Sequence, residues 1–308
     1  MDSSKALYLY GVIDPSDSQA VLGKLEDVKH IRCLAIRPAR PEEHREAGGE
    51  LGALISDVSM EEFEEEALKT RLKDPKWLEH RIRHHEWVLE TFMRVGTVIP
   101  MKFATIFMTE ERLCERLLGL YETLRELCGK LQGKEEWGVK AFCDLRYIQA
   151  TVETEHERTK QLKAQLAGQP PGTAYLMKKQ LEELVTRETD QCLSRHLESI
   201  YQRLVATAHE AKLNLLTPRE LTDPACAPPT FSGGAGRRKH EMVLNAALLV
   251  EKPQVSRIAE GVRALREAYA PHGFEFEIVG PFPPYNFSQL PACTESREAG
   301  KPEGVAHD

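Results

Sequence analysis

Between Trp137 and Gly280, short sheet-forming runs alternate with helical ones in an order that leaves few folds open. WGVKAFCD (137–144) alternates apolar and polar positions, as a half-buried strand does. A long helical region follows over 148–210, broken at AGQPPGTA (167–174), so it reads as a helical hairpin. Its first arm, around ETEHERTKQ, is almost wholly polar and is expected to stand in solvent. The second repeats Met177, Leu181, Leu184, Leu193, Leu197, Ile200 and Leu204 at helical spacing, a core-facing stripe. KLNLL (212–216) and EMVLNAALLVEK (241–252) read as strands, 255–270 as an amphipathic helix and FEFEIVG (274–280) as a last strand. The resulting order is β, α, β, β, α, β, the split βαβ or ferredoxin-like arrangement.

The preceding residues read as a smaller mixed unit. ALYLYGVI (6–13) is apolar and closes at Asp14-Pro15-Ser16, a turn signal. In HIRCLAIRP (30–38) the residues Ile31, Cys33 and Ala35 are expected on one face, and GELGALISDVS (49–59) is a third strand. Ser59 and Glu62 have the spacing of a capping box. A helix with Pro75 near its first position carries Trp77, Ile82, Val88, Leu89, Phe92 and Met93 inward. TVIPMKFATIF (97–107) reads as one strand, and Pro100 within it demands a sheet edge or a bulge. Residues 109–131 read as a single amphipathic helix. The expected fold class is therefore α+β in two domains, 1–133 and 134–290. The second is ferredoxin-like (βαββαβ), with the hairpin at 148–210 and a flexible Pro/Gly-rich loop at 217–239; a disordered tail covers 291–308.

Charge narrows the partners. Across 308 residues the net charge is −7, which argues against general attraction to nucleic acid or anionic lipid. No run reaches the roughly 18 apolar residues of a membrane span, and the N-terminus lacks signal-peptide order. Seven cysteines without a CxxC pair suit reduced structural thiols in a cytoplasm.

The sequence carries few groupings suited to chemistry. His80 and His84 share a helical face, but no glutamate stands between them and Arg81 and Arg83 flank them, so no metal site is expected. SGGAGRRK (232–239) lacks phosphate-loop spacing and precedes a strand. No GxSxG elbow is present. Neither a catalytic residue nor a cofactor is expected.

Five stretches carry a resemblance: HEWVLETFMRVGTVIPMKFATIF (85–107), WGVKAF (137–142), GTAYLMKKQLEE (172–183), LNAALLVEK (244–252) and GPFPPYNF (280–287). Together and in this order they resemble the gas vesicle protein F/L family over about residues 6–288. The resemblance implies a non-enzymatic accessory protein that binds the major hydrophobic shell protein and other accessory vesicle proteins. It places the protein at the gas-facing side of the shell after a soluble cytoplasmic stage, with no nucleic-acid or lipid-membrane partner. The competing reading is a small-molecule-binding regulatory module, or an enzyme, on a ferredoxin-like scaffold. At Lys102 and Ala104 the family more often has arginine and glycine.

The expected partner-binding residues are Pro100, Lys102 and Phe103 in the first unit. Gly280, Pro281, Pro283, Pro284 and Tyr285 are the expected ones in GPFPPYNF. The prolines force extended geometry there, and Phe282, Tyr285 and Phe287 can anchor it. Folding as a strap over its own domain's core is the leading reading; contact with a partner is the second.

Overall fold

In the computed structural model, residues 5–15, 18–28, 30–38, 51–63, 65–216 and 240–290 are described. The loop expected at 217–239 and the tail expected at 291–308 lie outside them. The fold is α+β, with two antiparallel sheets.

The first sheet is built on β1 (Lys5–Pro15), which pairs with β3 (Leu51–Ser59) on one side. On the other side it meets both β4 (Gly96–Pro100) and β5 (Ile106–Phe107). β2 (Arg32–Ile36) completes the order β2-β3-β1-β4. TVIPMKFATIF is thus two strands rather than one. The chain leaves β1 after Pro100, turns at Lys102–Thr105 and returns to β1 at Ile106. Pro100 ends an outer strand, where its missing donor costs no ladder bond on the open side.

Both faces of this sheet are covered, which corrects the simple alternation expected for 30–38. Ile31 and Cys33 join the cluster on one face, while Leu34 and Ile36 join the other, and Ala35 is exposed. One face packs on α4 (Pro75–Met93) through Val88, Leu89 and Phe92. Asp74 caps α4, its carboxylate accepting from the Lys76 and Trp77 amides. The expected capping box does not form. Ser59 accepts from the Glu61 amide, but Glu62 turns instead to Trp77 and Arg81. α1 (Ser18–Asp27), α2 (Met60–Phe63) and α3 (Glu65–Arg71) complete this side.

The other face packs on α5 (Glu110–Gly119) and α6 (Tyr121–Leu131), two helices where one was expected. The break falls at Leu120, whose amide bonds back to Leu117 and closes the first helix. Leu113, Leu117, Leu124 and Leu131 fill one side of a cluster with Leu7, Leu9, Val12 and Ile99. The same cluster takes in Ala247, Leu249 and Phe287 from the second unit. α5 and α6 therefore lie between the two sheets.

The second sheet has the order β7-β8-β6-β9, all antiparallel: β6 is Lys134–Cys143, β7 Glu210–Leu213, β8 Glu241–Glu251 and β9 Phe274–Phe282. Residues on β8 alternate between cores, Ala247 and Leu249 facing α5–α6 and Ala246, Leu248 and Val250 facing outward. The outward face is covered by α7 (Leu145–Glu155), α9 (Pro171–Val205) and α10 (Val255–Tyr269). The first hairpin arm is not simply solvated. It breaks at His156 into α7 and α8 (Glu157–Leu166), and Ile148, Val152 and Thr159 are buried. Three buried positions at helical spacing suffice to dock an otherwise polar arm.

Candidate interaction site where distant segments converge

The hydroxyl of Tyr8, at the centre of β1, organises the region. It is hydrogen-bonded to His85 Nδ1 at 2.9 Å and accepts from the Ala104 amide at 3.0 Å. That places α4, β1 and the 102–105 turn in one cluster. His85 is 1% exposed, and burial pushes its imidazole down to about 4, so it is neutral at physiological pH. Its ring meets Tyr8, Tyr10 and Phe103. Burial also raises the Tyr8 and Tyr10 phenols above their ordinary range. Tyr10 is hydrogen-bonded to Ser56 at 3.1 Å.

The turn itself carries strain. Lys102 O accepts from the Thr105 amide at 3.2 Å, and Ala104 sits at φ +61°, in the left-handed region. Glycine occupies that region without steric cost, whereas a Cβ there costs roughly 1–2 kcal/mol. Glycine in turn gives up some of this gain through the greater freedom of its unfolded chain, about 0.4–1 kcal/mol. Ala104→Gly is therefore expected to raise stability by about 0.5–1 kcal/mol, read as a higher denaturation midpoint at unchanged slope. A lower midpoint contradicts the strain argument.

The strap after β9 enters the same cluster, crossing from the second unit to the first. Tyr285 donates to Glu86 Oε1 at 2.8 Å on α4. Burial, reinforced by that carboxylate, drives the Tyr285 phenol upward. Asn286 donates to Glu136 from its amide at 3.0 Å and from Nδ2 at 2.6 Å, while Lys212 donates to Asn286 O at 2.7 Å. Burial raises both Glu86 and Glu136. Phe287, 1% exposed, plugs the shared core, with the Lys130 and Lys212 ammoniums over its ring.

GPFPPYNF is therefore a strap that is held on its own sheet through Glu136, Lys212 and the Ala247–Leu249 cluster and also reaches across to Glu86 on α4. Phe282 is 40% exposed and does not anchor it; Tyr285 and Phe287 do. Of the expected contact residues, Pro100, Pro283 and Pro284 are buried, whereas Lys102, Gly280 and Pro281 are exposed. Phe103 and Tyr285 are half-buried and meet in the Tyr8 cluster; Gly280 lies instead against Trp137.

A cavity of about 190 Å³ opens beside the cluster, lined by Tyr8, Tyr10, Ser56, Glu62, Arg81 and Phe103 among others. Burial raises Glu62, but hydrogen bonds from Arg81 and Trp77 outweigh it and lower the carboxyl overall. At the cavity's edge His84 pairs with His30 at 3.0 Å between their Nε2 atoms, not with His80 as helical spacing suggests.

Tyr8, Glu86 and Glu136 were missed by sequence reading. Glu86 meets Tyr285 199 positions away, a pairing with no local pattern. His85 did leave a signal, being a polar residue on the stripe of Val88, Leu89 and Phe92. A family model described as gas vesicle synthesis protein GvpL/GvpF matches residues 6–289. The chain belongs to the GvpL/GvpF family. Among its relatives is gas vesicle protein L of Streptomyces sp. (strain CB03234), 26% identical over 98% of this chain and 100% of the relative. Another is gas vesicle protein F of Microcystis aeruginosa (strain PCC 7806), 40% identical over 23% of this chain and 30% of that one. The crystal structure of the gas vesicle protein GvpF from Anabaena sp. PCC7120 superposes with a TM-score of 0.59 at 21% identity, over 94% of this chain and 100% of that one. The Microcystis aeruginosa GvpF crystal structure gives 0.57 at 20%, over 92% and 99%. These two likenesses carry the fold. As a GvpL/GvpF protein, this chain has an accessory role in gas vesicles. Among the described residues no helix is long and apolar enough to cross a membrane.

Proposed function

We propose that this protein is a non-catalytic assembly factor that holds the major gas vesicle shell protein and other accessory vesicle proteins, acting at the gas-facing side of the shell. The carrying observation is the convergence of β1, the 85–107 segment and the 280–287 strap on one cluster, with Lys102 exposed at its rim. A docking surface built on a buried, cross-braced base is held in shape before a partner arrives, which lowers the ordering cost of binding. Lys102, Phe103 and the exposed Pro281 are the residues we assign to contact. Pro100, Pro283, Pro284 and Tyr285 shape the surface from beneath, and Gly280 lets the strap pass close to Trp137. We further infer two α+β units meeting at 133/134, the second ferredoxin-like, which its element order and antiparallel strand order support. The cavity beside the cluster is smaller than the roughly 300–1,000 Å³ of ordinary ligand pockets.

A pull-down of the full chain with the shell protein and the other vesicle proteins tests this. Lys102→Glu is expected to weaken capture by roughly tenfold, about 1.4 kcal/mol, while His80→Ala leaves it intact. No association with any vesicle component overturns the proposal.

A further inference from the structure

A second cluster of chemistry-bearing side chains lies on the far side of the molecule, at the junction of α9, the end of β6 and the turn at Ala270–His272. Cys192 and His196 sit one helical turn apart on α9, with Sγ and Nε2 separated by 3.5 Å. The His272 ring stands 4.7 Å from that of His196, centroid to centroid. The Cys143 thiol lies against the same turn, 3.9 Å from the His272 carbonyl oxygen. Three side chains of the types that hold zinc thus lie together, and the Cys143 thiol reaches the backbone of the same turn.

The distance is informative. A tetrahedral zinc ion with bonds of about 2.3 Å to sulfur and 2.0–2.1 Å to nitrogen separates those two ligands by about 3.5–3.6 Å. The Cys192–His196 pair already spans that edge. Its support is rigid: the His196 ring is held edge-on by Tyr269 and Phe274 at 5.6 Å each, and Tyr269 is fixed by its hydroxyl bond to Ser199. Gly273, at φ +77°, closes the turn that carries His272, and its carbonyl accepts from the Asp144 amide beside Cys143. Cys192, His196 and His272 are half-buried, which leaves a way in from solvent. Of the nearby charges, Asp144 is taken by Arg146, and Arg195 opposes a cation. Among the described residues no three donor atoms yet stand together at ligand distance. The preformed part is therefore the pair, with the His272 ring beside His196 and Cys143 buried against the same turn.

We propose that Cys192 and His196 form the nucleus of a binding site for a thiophilic divalent cation of the zinc class, flanked by His272 and Cys143. The site is separate from the Tyr8 cluster and does not depend on the assembly role.

Cobalt(II) is the probe, titrated into the reduced full-length chain. The expected result is a one-to-one rise of a thiolate-to-cobalt charge-transfer band in the near ultraviolet, reversed by added zinc. Cys192→Ser is expected to abolish the band, and His196→Ala to weaken binding by at least about tenfold, as loss of even an outer-shell partner costs 10–100-fold. His272→Ala and Cys143→Ala are expected to cost less, and His84→Ala nothing. Circular dichroism checks that each variant is folded, and a zinc-dependent rise in Tm of the parent chain gives a second readout. An absent band, or one that survives Cys192→Ser, overturns the proposal and leaves the pair as a thiol–imidazole hydrogen bond.

Discussion

Phe287→Ala is expected to cost about 3–5 kcal/mol of stability, the range for emptying a buried phenylalanine site. The ring is 1% exposed and fills a cluster fed by β1, α5, α6 and β8, so no single element can move in to close the gap. Its loss also strips the apolar surface beneath two ammonium groups, at 5.7 Å from Lys130 and 5.2 Å from Lys212. Lys212 in turn holds the Asn286 carbonyl, and Asn286 holds Glu136. The strap's bonds therefore loosen together with the plug. Chemical denaturation of the parent, Phe287→Ala and Phe282→Ala checks this. Phe282 is 40% exposed, and its replacement is expected to cost less than about 1 kcal/mol. Equal midpoints for the two variants contradict the assignment of Phe287 as the joint between the units.

The second large effect is acid sensitivity through His85. Its imidazole is held at about 4, against 6.5 in an unperturbed chain, by burial, which the Met101 backbone opposes and the neighbouring His84 reinforces. As pH falls through 6.5 the unfolded chain takes up a proton that the folded protein refuses until about pH 4. The stability His85 gives is thus complete above pH 6.5 and is lost progressively down to about pH 4. At about 1.4 kcal/mol per pH unit, the loss across that window is roughly 3 kcal/mol. Tyr8 and Tyr10, which face the ring, stay neutral throughout and do not offset it. The measurement is the denaturation free energy at pH 7 and pH 4.5 for the parent and for His85→Phe. The variant is expected to be less stable at pH 7, because the Tyr8 hydroxyl loses its bond to the ring, but to fall less steeply with acid. Parallel curves would show that His85 takes no part. Glu136 works in the opposite direction. Burial raises it, so its contribution weakens as pH climbs through the raised value.

The parts most legible in the sequence were those set by local rules. Asp74-Pro75 fixed the start of α4, since an aspartate before a first-turn proline both caps a helix and stops what precedes it. Pro100 announced a strand with one free side. Alternation in WGVKAFCD and the apolar run EMVLNAALLVEK marked the two inner strands of the second sheet. The errors came where two layers compete for one segment. An apolar run such as TVIPMKFATIF satisfies strand periodicity throughout, yet only its ends pair with β1, because Lys102–Thr105 has to turn under the Tyr8 hydroxyl. Leucine spacing in 109–131 fits one helix or two equally well, and the choice falls to the gap between the sheets that α5 and α6 fill.

The residue order alone determined the β, α, β, β, α, β succession after Trp137, the start of α4, the outer position of Pro100 and the family to which the chain belongs. Each of these depends on neighbours within a few positions or on motifs standing in a fixed order. Tertiary structure decided that α5 and α6 serve both sheets, that Phe287 sits in the cluster the two sheets share, and that Tyr8, His85, Glu86 and Tyr285 meet. Those pairings lie 77 and 199 positions apart. Their energy arises from burial and hydrogen bonding that exist only once the layers have stacked, so no local pattern in the chain records them.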